Sequence, residues 1–388
     1  MDYDLVIIGG GIHGAGVAQA AAAAGYRVLV LEKTGLANGS SSRSSKLIHG
    51  GLRYLESGQF RLVRESLRER ATLLAIAPDL VRLVPFHIPI YPDTRRRSWQ
   101  IRAGLSLYAL LAGMGPEARY ASLPRAAWGS LDGLRTDALA AVFRYQDAQT
   151  DDAALTRAVM CSAQSLGAEL AMPARFSGAR LEDDGCSVEY WHAGRRISCR
   201  ARVLVNAAGP WAAEVLSQVE PRLPAPAVDL VRGTHLALPG PLERGAYYME
   251  APQDGRAVFA LPHGDCTLVG TTEALHEEAP DAVAPTPAEC AYLREVVEHY
   301  FPHWRGCEAI GEFAGLRVLP KAAQSAFGRS RETVLQADRA ERPRLVSVLG
   351  GKLTTYRASA EKLVRGLAAT LPRRSPRGDT RTLPLQPD

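Results

Sequence analysis

Three glycines and one glutamate near the start of the chain have the residue types and the spacing that bind a dinucleotide. Gly9, Gly11 and Gly14 form a G-x-G-x-x-G pattern, and Glu32 ends the next apolar run. Gly9 permits a sharp turn, Gly11 lets the backbone approach a pyrophosphate, and Gly14 lets a following helix pack closely. The carboxylate of Glu32 can accept hydrogen bonds from an adenosine ribose. The pattern therefore predicts a dinucleotide-binding turn.

The elements that must position this turn follow from the apolar pattern around it. Apolar runs at residues 5–8 and 28–31 flank an alanine-rich stretch that ends at Gly25. This order predicts a strand, the glycine turn, a helix that begins near Ile12 and His13, and a second strand. The N-terminus of such a helix offers unpaired N–H groups and a positive dipole end to phosphates.

Other periodic segments predict further elements. Residues 60–77 alternate apolar and charged side chains at helical spacing, and residues 80–91 have the composition of a strand. Residues 285–300 are helical in pattern, with Thr286 as the N-cap. The acidic pair Asp151 and Asp152 is placed to cap a helix rather than to bind a metal.

Length, charge and cysteine usage narrow the class of protein. A chain of 388 residues is longer than one small core needs, so one or two domains are expected. The net charge of +5 is spread along the chain without a basic stripe that contains aromatics, so no nucleic-acid partner is predicted. The six cysteines include no C-x-x-C pair, which predicts no metal site and suits a reducing cytoplasm.

One apolar stretch leaves two interpretations open. No apolar run reaches the ~20 residues of a membrane-spanning helix. The nearest covers residues 103–114 and follows the arginines at 95–97 and Arg102. The favoured interpretation is a helix packed in a core. The alternative is a helix with one face in a membrane interface.

A serine-rich segment directly precedes a second group of polar residues. Residues 39–46 have the sequence GSSSRSSK, and LIHGGLRYLE follows with His49, Arg53 and Tyr54. Small hydroxyl groups and backbone amides suit phosphate and ribityl oxygens, and the glycine pair 50–51 lets the backbone lie against a flat ring. Both features suit a flavin nucleotide.

The segment GSSSRSSKLIHGGLRYLE resembles the signature of FAD-dependent glycerol-3-phosphate dehydrogenases, within the D-amino-acid-oxidase-like flavoprotein superfamily. The resemblance extends over residues 2–362. It continues in four later segments: NAAGPWA at 206–212, VFALPHGDCTLVGTTE at 258–273, GEFAGLRVLP at 311–320 and LVSVLGGKLTTY at 345–356. One departure is Val318, which stands where the family usually has proline.

The resemblance implies an α/β fold in which a Rossmann-like FAD-binding domain is interleaved with a β-rich α+β substrate domain. The FAD-binding domain is expected from residues 1–80, 148–215 and 308–370, and the substrate domain from residues 81–147 and 216–307. Residues 371–388 are rich in proline and arginine and are expected to form a flexible tail. Family members usually continue with a helical C-terminal domain, which this chain is expected to lack.

The resemblance also implies non-covalent FAD. The glycines at 350–351 can turn the chain over the isoalloxazine ring, and the next helix can point its N-terminus at that ring. The expected cofactor-binding residues are Gly9, Gly11, Ile12, His13, Gly14, Glu32, Ser40, Ser41, Ser42, Ser44, Ser45, Lys46, Leu47, Ala174, Ala208, Gly209, Trp211, Gly351, Lys352, Leu353 and Thr354.

A site for a small phosphorylated substrate is implied as well. Arginine suits phosphate because its planar fork donates two hydrogen bonds at once. His49 is the expected base, since its ordinary pKa lies near neutral, and Arg317 is the second catalytic candidate, able to steady a developing alkoxide. For His235, a structural role in a strand is an equal alternative. The expected substrate-binding residues are Arg53, Tyr54, His235, Arg317, Arg331 and Lys352.

The reaction expected from the resemblance is oxidation of sn-glycerol 3-phosphate to dihydroxyacetone phosphate, with hydride transfer from C2 to flavin N5. The family usually passes the electrons to a membrane quinone. The expected location is therefore the cytoplasm, with peripheral contact at the inner face of the cytoplasmic membrane. The middle of the chain lacks the long insertion of oxygen-using relatives, which favours a dehydrogenase. The oligomeric state is left open.

Three other functions compete with this one. An FAD-dependent oxidase or dehydrogenase of a hydroxy acid or amino acid would use the arginines for a carboxylate. A non-catalytic flavin-binding protein is a further alternative, although the intact polar residues argue against it. An NAD enzyme is the weakest rival, because it has no evident use for the serine loop or for HGGLRY.

Overall fold

The computed structural model describes residues 1–321, 329 and 331–387, which form two large β-sheets with helices around them. The strands are β1 (Tyr3–Ile8), β2 (Val28–Leu31), β3 (Leu47–Ile48), β4 (Val81–Ile90), β5 (Ala121–Ser122), β6 (Ala141–Thr150), β7 (Glu169–Ala171), β8 (Ala174–Glu182), β9 (Gly185–His192), β10 (Arg195–Asn206), β11 (Val219–Glu220), β12 (Val228–Pro239), β13 (Ala246–Glu250), β14 (Ala257–His263), β15 (Cys266–Gly270), β16 (Ala274–His276), β17 (Gly311–Pro320), β18 (Thr333–Ala337) and β19 (Leu345–Gly350). The helices are α1 (Ile12–Ala23), α2 (Phe60–Ile76), α3 (Ser98–Leu111), α4 (Asp152–Ser165), α5 (Ala212–Ser217), α6 (Pro287–Tyr300) and α7 (Tyr356–Gly366).

The first sheet has the order β11-β8-β9-β10-β1-β2-β7, and β19 pairs with β10 and carries β18. Its centre is parallel, because β1 pairs in parallel with β10 and β2, and β10 pairs in parallel with β19. Residues 5–8 of β1 and all of β2 form continuous apolar runs that are buried on both faces, as a central parallel strand requires. The carboxyl ends of β1, β10 and β19 therefore meet at one edge of the sheet, where α/β folds bind their ligands.

Helix α1 is buried on nearly all sides and packs against α4 and α7. Its residues are mostly alanine and glycine, which allow the neighbouring elements to approach closely. A methyl group at Gly16 would lie 2.7 Å from the ring of Tyr356. Contacts on all sides of α1, rather than on a single apolar face, therefore hold this helix in place.

The second sheet has the order β16-β12-β15-β14-β13-β4-β6-β3, with β17 on β12 and β5 on β6. Strands β12 and β17 pair antiparallel along their length, from Val228 opposite Pro320 to Ala237 opposite Gly311. A core that includes Tyr300 and Phe301 at the end of α6 covers part of this sheet. Long antiparallel pairing thus fixes the position of Arg317, which lies opposite Val231.

The two sheets divide the chain near the predicted domain boundaries, with differences at three strands. Strand β11 lies within the predicted substrate segment 216–307 but pairs with β8 in the first sheet. The expected FAD-binding segment 308–370 contains β17, but β17 belongs to the second sheet because it pairs with β12. Strand β3, within the predicted segment 1–80, also joins the second sheet, through β6. The remaining boundaries stay a prediction.

The expectation of a flexible tail at residues 371–388 is wrong for the described residues up to 387. Leu371 and Leu385 are part of the core that contains α1 and Ile76. The N–H of Leu385 donates to the carbonyl of Ile76 at 2.7 Å, and the N–H of Arg377 donates to the carbonyl of Ala23 at 2.6 Å. A high content of proline and arginine predicts little regular secondary structure. It does not indicate whether the apolar side chains in between pack against residues that are distant in sequence.

The apolar stretch 103–114 packs one side in a core, as the favoured interpretation expects, and its contact with a membrane interface stays a prediction. It forms most of α3, in which Leu105 and Tyr108 are buried, while Trp99, Leu110 and Met114 are 70%, 62% and 66% exposed. None of the helices in the described residues is both long and apolar enough to cross a membrane.

Replacement of Leu385 by alanine tests the packing of the C-terminal segment. The side chain is 2% exposed, so its truncation is expected to lower the free energy of unfolding by about 2–5 kcal/mol. The matched control is Leu275→Ala on β16, since that leucine is 56% exposed and its loss should change the free energy by about 0.5 kcal/mol or less. Equilibrium denaturation measures both, and equal effects would refute the packing of this segment.

Candidate active site

A cavity of about 900 Å³ lies between the carboxyl edge of the first sheet and the second sheet. Its wall contains the ends of β1, β10 and β19 from the first sheet and parts of β14 and β17 from the second. The volume is near the upper end of the range for small-molecule sites. A long ligand such as a dinucleotide therefore fits here together with a small substrate.

The glycine turn lies in this wall and depends on the absence of side chains. Gly9 has φ +108°, and a methyl group there would lie 2.7 Å from the carbonyl oxygen of Ala207. Gly11 faces the cavity with bare backbone, next to Ser41. Gly14 is buried behind the turn and outside the cavity wall, so its predicted contact with the cofactor stays a prediction. A methyl group at Gly14 would lie 1.9 Å from the carbonyl oxygen of Gly9, so its role is to let α1 approach β1.

Glu32 lies in the cavity wall at the end of β2, as the fingerprint predicts. Its Oε2 accepts a hydrogen bond from the N–H of Gly10 at 2.7 Å, and its Oε1 accepts one from the N–H of Thr34 at 2.8 Å. These bonds fix the carboxylate, while Oε2 keeps capacity to accept a further bond from a ribose hydroxyl.

The serine loop ties the two sheets together at the cavity. The Oγ of Ser41 accepts a hydrogen bond from the N–H of Ile12 at 2.9 Å, which joins the loop to the N-terminus of α1. The Oγ of Ser40 donates to the carbonyl of Leu316 on β17 at 2.5 Å. All five serines predicted to contact the cofactor lie in the wall.

Lys46 forms a buried ion pair, and its predicted contact with the cofactor stays a prediction. Its side chain is 9% exposed, lies outside the cavity wall, and its Nζ donates to Asp152 Oδ1 at 2.6 Å and to the carbonyl of Ser42 at 3.1 Å. Asp152 also accepts hydrogen bonds from the N–H and hydroxyl of Ser44. This buried ion pair anchors the serine loop to α4. The predicted N-cap of α4 is confirmed at Asp151, which accepts a hydrogen bond from the N–H of Ala154.

The turn after β19 forms the opposite part of the wall. Gly351 has φ +91°, and a methyl group there would lie 2.6 Å from Nε2 of His13 and 2.5 Å from Oγ1 of Thr333. Only glycine therefore allows this backbone to pass so close to the start of α1. The other predicted cofactor residues in the wall are Ile12, His13, Leu47, Ala174, Ala208, Gly209, Trp211, Lys352, Leu353 and Thr354. Bare backbone, hydroxyl groups and a ribose-binding carboxylate together fit FAD.

Three arginines meet around one carboxylate in the cavity wall. They are Arg53, Arg317 and Arg331, and we call them the arginine cluster. Oε1 of Glu273 lies 3.2 Å from Nη1 of Arg317 and 3.6 Å from Nη2 of Arg53, and it accepts a hydrogen bond from Nη2 of Arg331. Burial lowers the pKa of Arg317, as does the neighbouring Arg331, to about 10. Arg317 is still protonated at neutral pH, so the cluster remains cationic.

Arg331 retains donors that no group in the described residues uses. Its side chain is 5% exposed, and its Nε and Nη1 are buried without a hydrogen-bond partner there. A buried donor without a partner costs about 1–3 kcal/mol. An anion bound beside Arg331 would remove this cost.

Tyr54 and Lys352 extend the positive wall. The Nζ of Lys352 lies 4.4 Å from the centre of the Tyr54 ring and donates to Oγ of Ser66 at 3.2 Å. Burial acts to raise the pKa of Tyr54, but Lys352, Arg53 and Arg331 outweigh it and lower the pKa to about 8. Burial lowers the pKa of Lys352. Both residues lie in the cavity wall, as predicted.

The loop that carries His49 is held from two sides. The N–H of His49 donates to Oγ1 of Thr354 at 3.1 Å, and the N–H of Gly50 donates to the hydroxyl of Tyr108 at 2.8 Å. Tyr108 on α3 donates in turn to the buried Asp147 at 2.6 Å. The backbone beside His49 is therefore fixed by α3 and by the segment that precedes α7.

The imidazole of His49 lies in the same wall as the arginine cluster. Burial, followed by the charges of Lys352, Arg53 and Arg70, holds the pKa of His49 well below its ordinary value. His49 is therefore neutral at neutral pH. A neutral imidazole can accept a proton, which is what the predicted base requires.

His235 lies outside the cavity wall, and its predicted contact with substrate stays a prediction. The side chain is 1% exposed and stacks on Phe313 with ring centres 4.9 Å apart, because β12 and β17 place the two residues opposite each other. Its Nε2 lies 3.0 Å from Oγ of Ser45. Burial, with Arg317 and Lys46 nearby, lowers the pKa of His235 to about 3. The alternative role, a strand histidine, fits this position.

Several wall residues were not predicted from the sequence, and those with charged or aromatic side chains at the substrate end include Glu273, Arg256 and Phe259. Glu273 directly follows the threonines of the GTTE sequence, so a carboxylate at the end of a strand was the available signal. Its partners are distant in sequence and could not be inferred from spacing. Within the described residues, no group of three or more His, Cys, Asp or Glu side chains is arranged to hold a metal ion.

The fold and the site together define a flavoprotein oxidoreductase. The family of FAD dependent oxidoreductases matches residues 4–357. A glycerol-3-phosphate dehydrogenase from Pseudomonas aeruginosa is 39% identical over 94% of this chain and 71% of the relative, and a D-erythritol 1-phosphate dehydrogenase from Brucella abortus is 38% identical over 95% and 74%. The crystal structure of a glycerol-3-phosphate dehydrogenase from Bacillus halodurans complexed with FAD has a TM-score of 0.76 and 26% identity, and the match covers 99% of this chain and 68% of that one. The chain therefore belongs to the FAD dependent oxidoreductase family and, within it, to the glycerol-3-phosphate dehydrogenases.

Replacement of Gly351 by alanine tests the cofactor side of the cavity. The added methyl group would meet His13 and Thr333 at a positive φ, and strain of about 1–3 kcal/mol is expected. Relief of this strain would displace the turn from the cofactor wall, so FAD should bind roughly 10- to 100-fold more weakly. Titration of the apoprotein with FAD, followed by flavin fluorescence, gives the dissociation constant. Gly366→Ala is the control, because no atom lies within 4 Å of the added methyl group; equal affinities in both variants would contradict the assignment.

Proposed function

We propose that the protein oxidises sn-glycerol 3-phosphate to dihydroxyacetone phosphate. The observation that carries this proposal is the arginine cluster in the same cavity as His49 and the dinucleotide turn, with two donors of Arg331 that have no partner in the described part of the chain. A small anion at the cluster would be held beside both the base and the cofactor. The name of the Pseudomonas aeruginosa relative supports the same substrate.

Arginine residues of the cluster bind the phosphate in this reaction. Arg331 donates from its buried Nε and Nη1, and Arg317 and Arg53 add charge from the same wall. Charge-assisted hydrogen bonds of this kind are stronger than neutral ones, particularly away from bulk water. The phosphate therefore anchors the substrate and orients its C2 carbon.

The chemical step removes a hydride from C2 and a proton from the C2 hydroxyl group, which leaves a ketone. When bound, FAD supplies the two-electron acceptor for the hydride. His49 accepts the hydroxyl proton, because it is neutral and lies in the wall beside the arginine cluster. Arg317 stabilises the negative charge that develops on the C2 oxygen as the proton leaves.

Anaerobic reduction of the bound flavin tests the proposed activity. Addition of glycerol 3-phosphate is expected to bleach the oxidised-flavin absorbance of the wild-type protein. Arg331→Lys keeps the charge but loses the planar fork, so it should raise the substrate concentration for half-maximal reduction roughly 10- to 100-fold.

Arg329→Lys is the matched control for this experiment. Arg329 is also buried, but it pairs with Asp229 outside the cavity wall, so its replacement should leave the half-maximal concentration unchanged. The proposed activity would be refuted if the wild-type flavin stays oxidised with glycerol 3-phosphate but is reduced by a hydroxy acid or an amino acid.

The pH dependence of flavin reduction tests the role of His49. Its lowered pKa keeps it neutral above that pKa, so the base is lost only as the pH falls well below 6.5. The rate at saturating substrate should therefore show no decline near pH 6.5 that depends on His49. His49→Gln should reduce the rate by about 10²- to 10⁴-fold, whereas His192→Gln on β9 should not. Stopped-flow absorbance from pH 5 to 8 measures this, and an unchanged rate in His49→Gln would exclude it as the base.

A second substrate has support from one comparison. The Brucella abortus relative is named a D-erythritol 1-phosphate dehydrogenase and is nearly as similar as the Pseudomonas aeruginosa one. The arginine cluster suits any small polyol phosphate, and the substrates differ in the length of the carbon chain. Flavin reduction by both compounds at equal concentrations ranks them directly.

A membrane quinone is the proposed electron acceptor, with the protein held at the inner face of the cytoplasmic membrane. Helix α3 supports this proposal, because Trp99 and Leu110 are exposed on one face of it and Arg95, Arg97 and Arg102 are exposed nearby. Exposed apolar side chains beside basic ones suit an anionic membrane surface.

Vesicle flotation and quinone mixing test this proposal. Trp99→Glu combined with Leu110→Glu should abolish flotation with anionic vesicles, because it places charge at the membrane contact. Leu275→Glu on β16 changes an equally exposed apolar residue elsewhere and should retain flotation. A soluble quinone should reoxidise the substrate-reduced flavin rapidly. Flotation of the double variant would refute the membrane contact. Slow reoxidation by the quinone would refute the quinone as the electron acceptor.

A further inference from the structure

Glu273 is a negative side chain in the part of the cavity that is otherwise positive. Its side chain is only 7% exposed, and one of its oxygens contacts all three members of the arginine cluster. A carboxylate weakens the attraction of a site for phosphate, so its presence here requires another explanation. The phosphate-binding and proton-accepting roles described above leave Glu273 without a function.

The position of Glu273 is fixed independently of the arginines. The residue directly follows Thr272, whose hydroxyl donates to Glu289 at 2.7 Å and accepts a hydrogen bond from the N–H of Thr234 at 2.9 Å. Thr234 lies on β12 and Glu289 in the first turn of α6. The carboxylate therefore projects from a rigid part of the second sheet.

The arginines reach Glu273 from three separate segments of the chain. Arg53 follows the His49 loop, Arg317 is on β17, and Arg331 precedes β18. Arg317 lies across the backbone of β12, since a methyl group at Gly233 would be 2.9 Å from its Nη2. Like charges repel strongly away from water, and only Glu273 gives the three guanidinium groups a common partner among the described contacts.

The charges of the cluster keep Glu273 ionised. Burial acts to raise the pKa of Glu273, but Arg317, Arg331, Arg53 and Arg256 outweigh it and lower the pKa. The carboxylate therefore carries its charge at neutral pH and holds the arginines before any substrate arrives. The donors of Arg331 that it leaves unused are Nε and Nη1.

We propose that Glu273 is a positioning residue that fixes the arginine cluster, so that the bound phosphate places the substrate C2 in register with the base and the cofactor. The proposal rests on the proposed function and adds the element that sets the geometry of its anion site. Misplacement of a reacting group by about 1 Å can cost roughly 10²-fold in rate, even where binding is retained. Glu273 thus acts on the rate of hydride removal more than on anion affinity.

Glu273→Gln tests the proposal, because it keeps the shape of the side chain and removes its charge. The rate of anaerobic flavin reduction at saturating glycerol 3-phosphate should fall about 10- to 100-fold. The inhibition constant of inorganic phosphate should not rise, because a small free ion can adapt its position within the cluster and no longer meets a carboxylate there. The dissociation constant of FAD should stay unchanged.

Glu250→Gln is the matched control. Glu250 also forms a buried ion pair, with Arg96, and its side chain is 9% exposed, but it lies outside the cavity wall. Its replacement should lower stability without changing the reduction rate. If Glu273→Gln behaves in the same way, Glu273 has only a structural role and the proposal is wrong. Tighter phosphate binding with an unchanged reduction rate would also overturn it.

Two further results distinguish a failure of this proposal from a failure of the proposed function. If the wild-type flavin is not reduced by glycerol 3-phosphate at all, the proposed function fails before Glu273 is tested. If Glu273→Gln does not fold, Glu273→Asp replaces it, since aspartate keeps the charge that stabilises the cluster but has a shorter reach. Glu273→Asp should also reduce the rate at least about tenfold, and a wild-type rate in that variant would refute the positioning role.

Discussion

The attraction between one buried carboxylate and three arginines is the interaction on which the rest of the site depends. Arg53, Arg317 and Arg331 come from separate segments, and their mutual repulsion would separate them without Glu273. Both sheets must be in place before the four side chains can meet. Two features of the fold hold the sheets in these positions. Strand β12 pairs with β17 along its length, and the serine loop joins α1 to β17.

The cofactor side of the cavity depends on the opposite property, the absence of side chains. Gly9 and Gly351 both have positive φ angles, and a side chain at either would collide with its neighbours. Parallel strands deliver both turns to the same edge of the first sheet. One wall is therefore made of backbone and hydroxyl groups that suit a dinucleotide, and the facing wall is made of charged side chains that suit a small phosphorylated compound.

Local sequence patterns predicted the parts of the structure that local physics determines. The first strand–turn–helix–strand unit is confirmed, and so are α2, β4 and the Thr286 cap of α6. The resemblance placed Arg53, Arg317, Arg331 and Lys352, which the structure brings to one cavity. What sequence analysis missed depends on distant contacts. Lys46 turns to Asp152, His235 stacks on Phe313, Leu385 packs under α2, and Glu273 meets arginines from three segments.

A crystal structure of the FAD-loaded protein with dihydroxyacetone phosphate, the expected product, is the most direct test of the account. The product cannot be oxidised further, so it reports the position that the substrate occupies. We expect phosphate oxygens within hydrogen-bond distance of Nε and Nη1 of Arg331, and we expect the C2 oxygen to face the imidazole of His49 and the guanidinium of Arg317. A phosphate bound away from the arginine cluster, or a C2 oxygen that points away from both side chains, would contradict it.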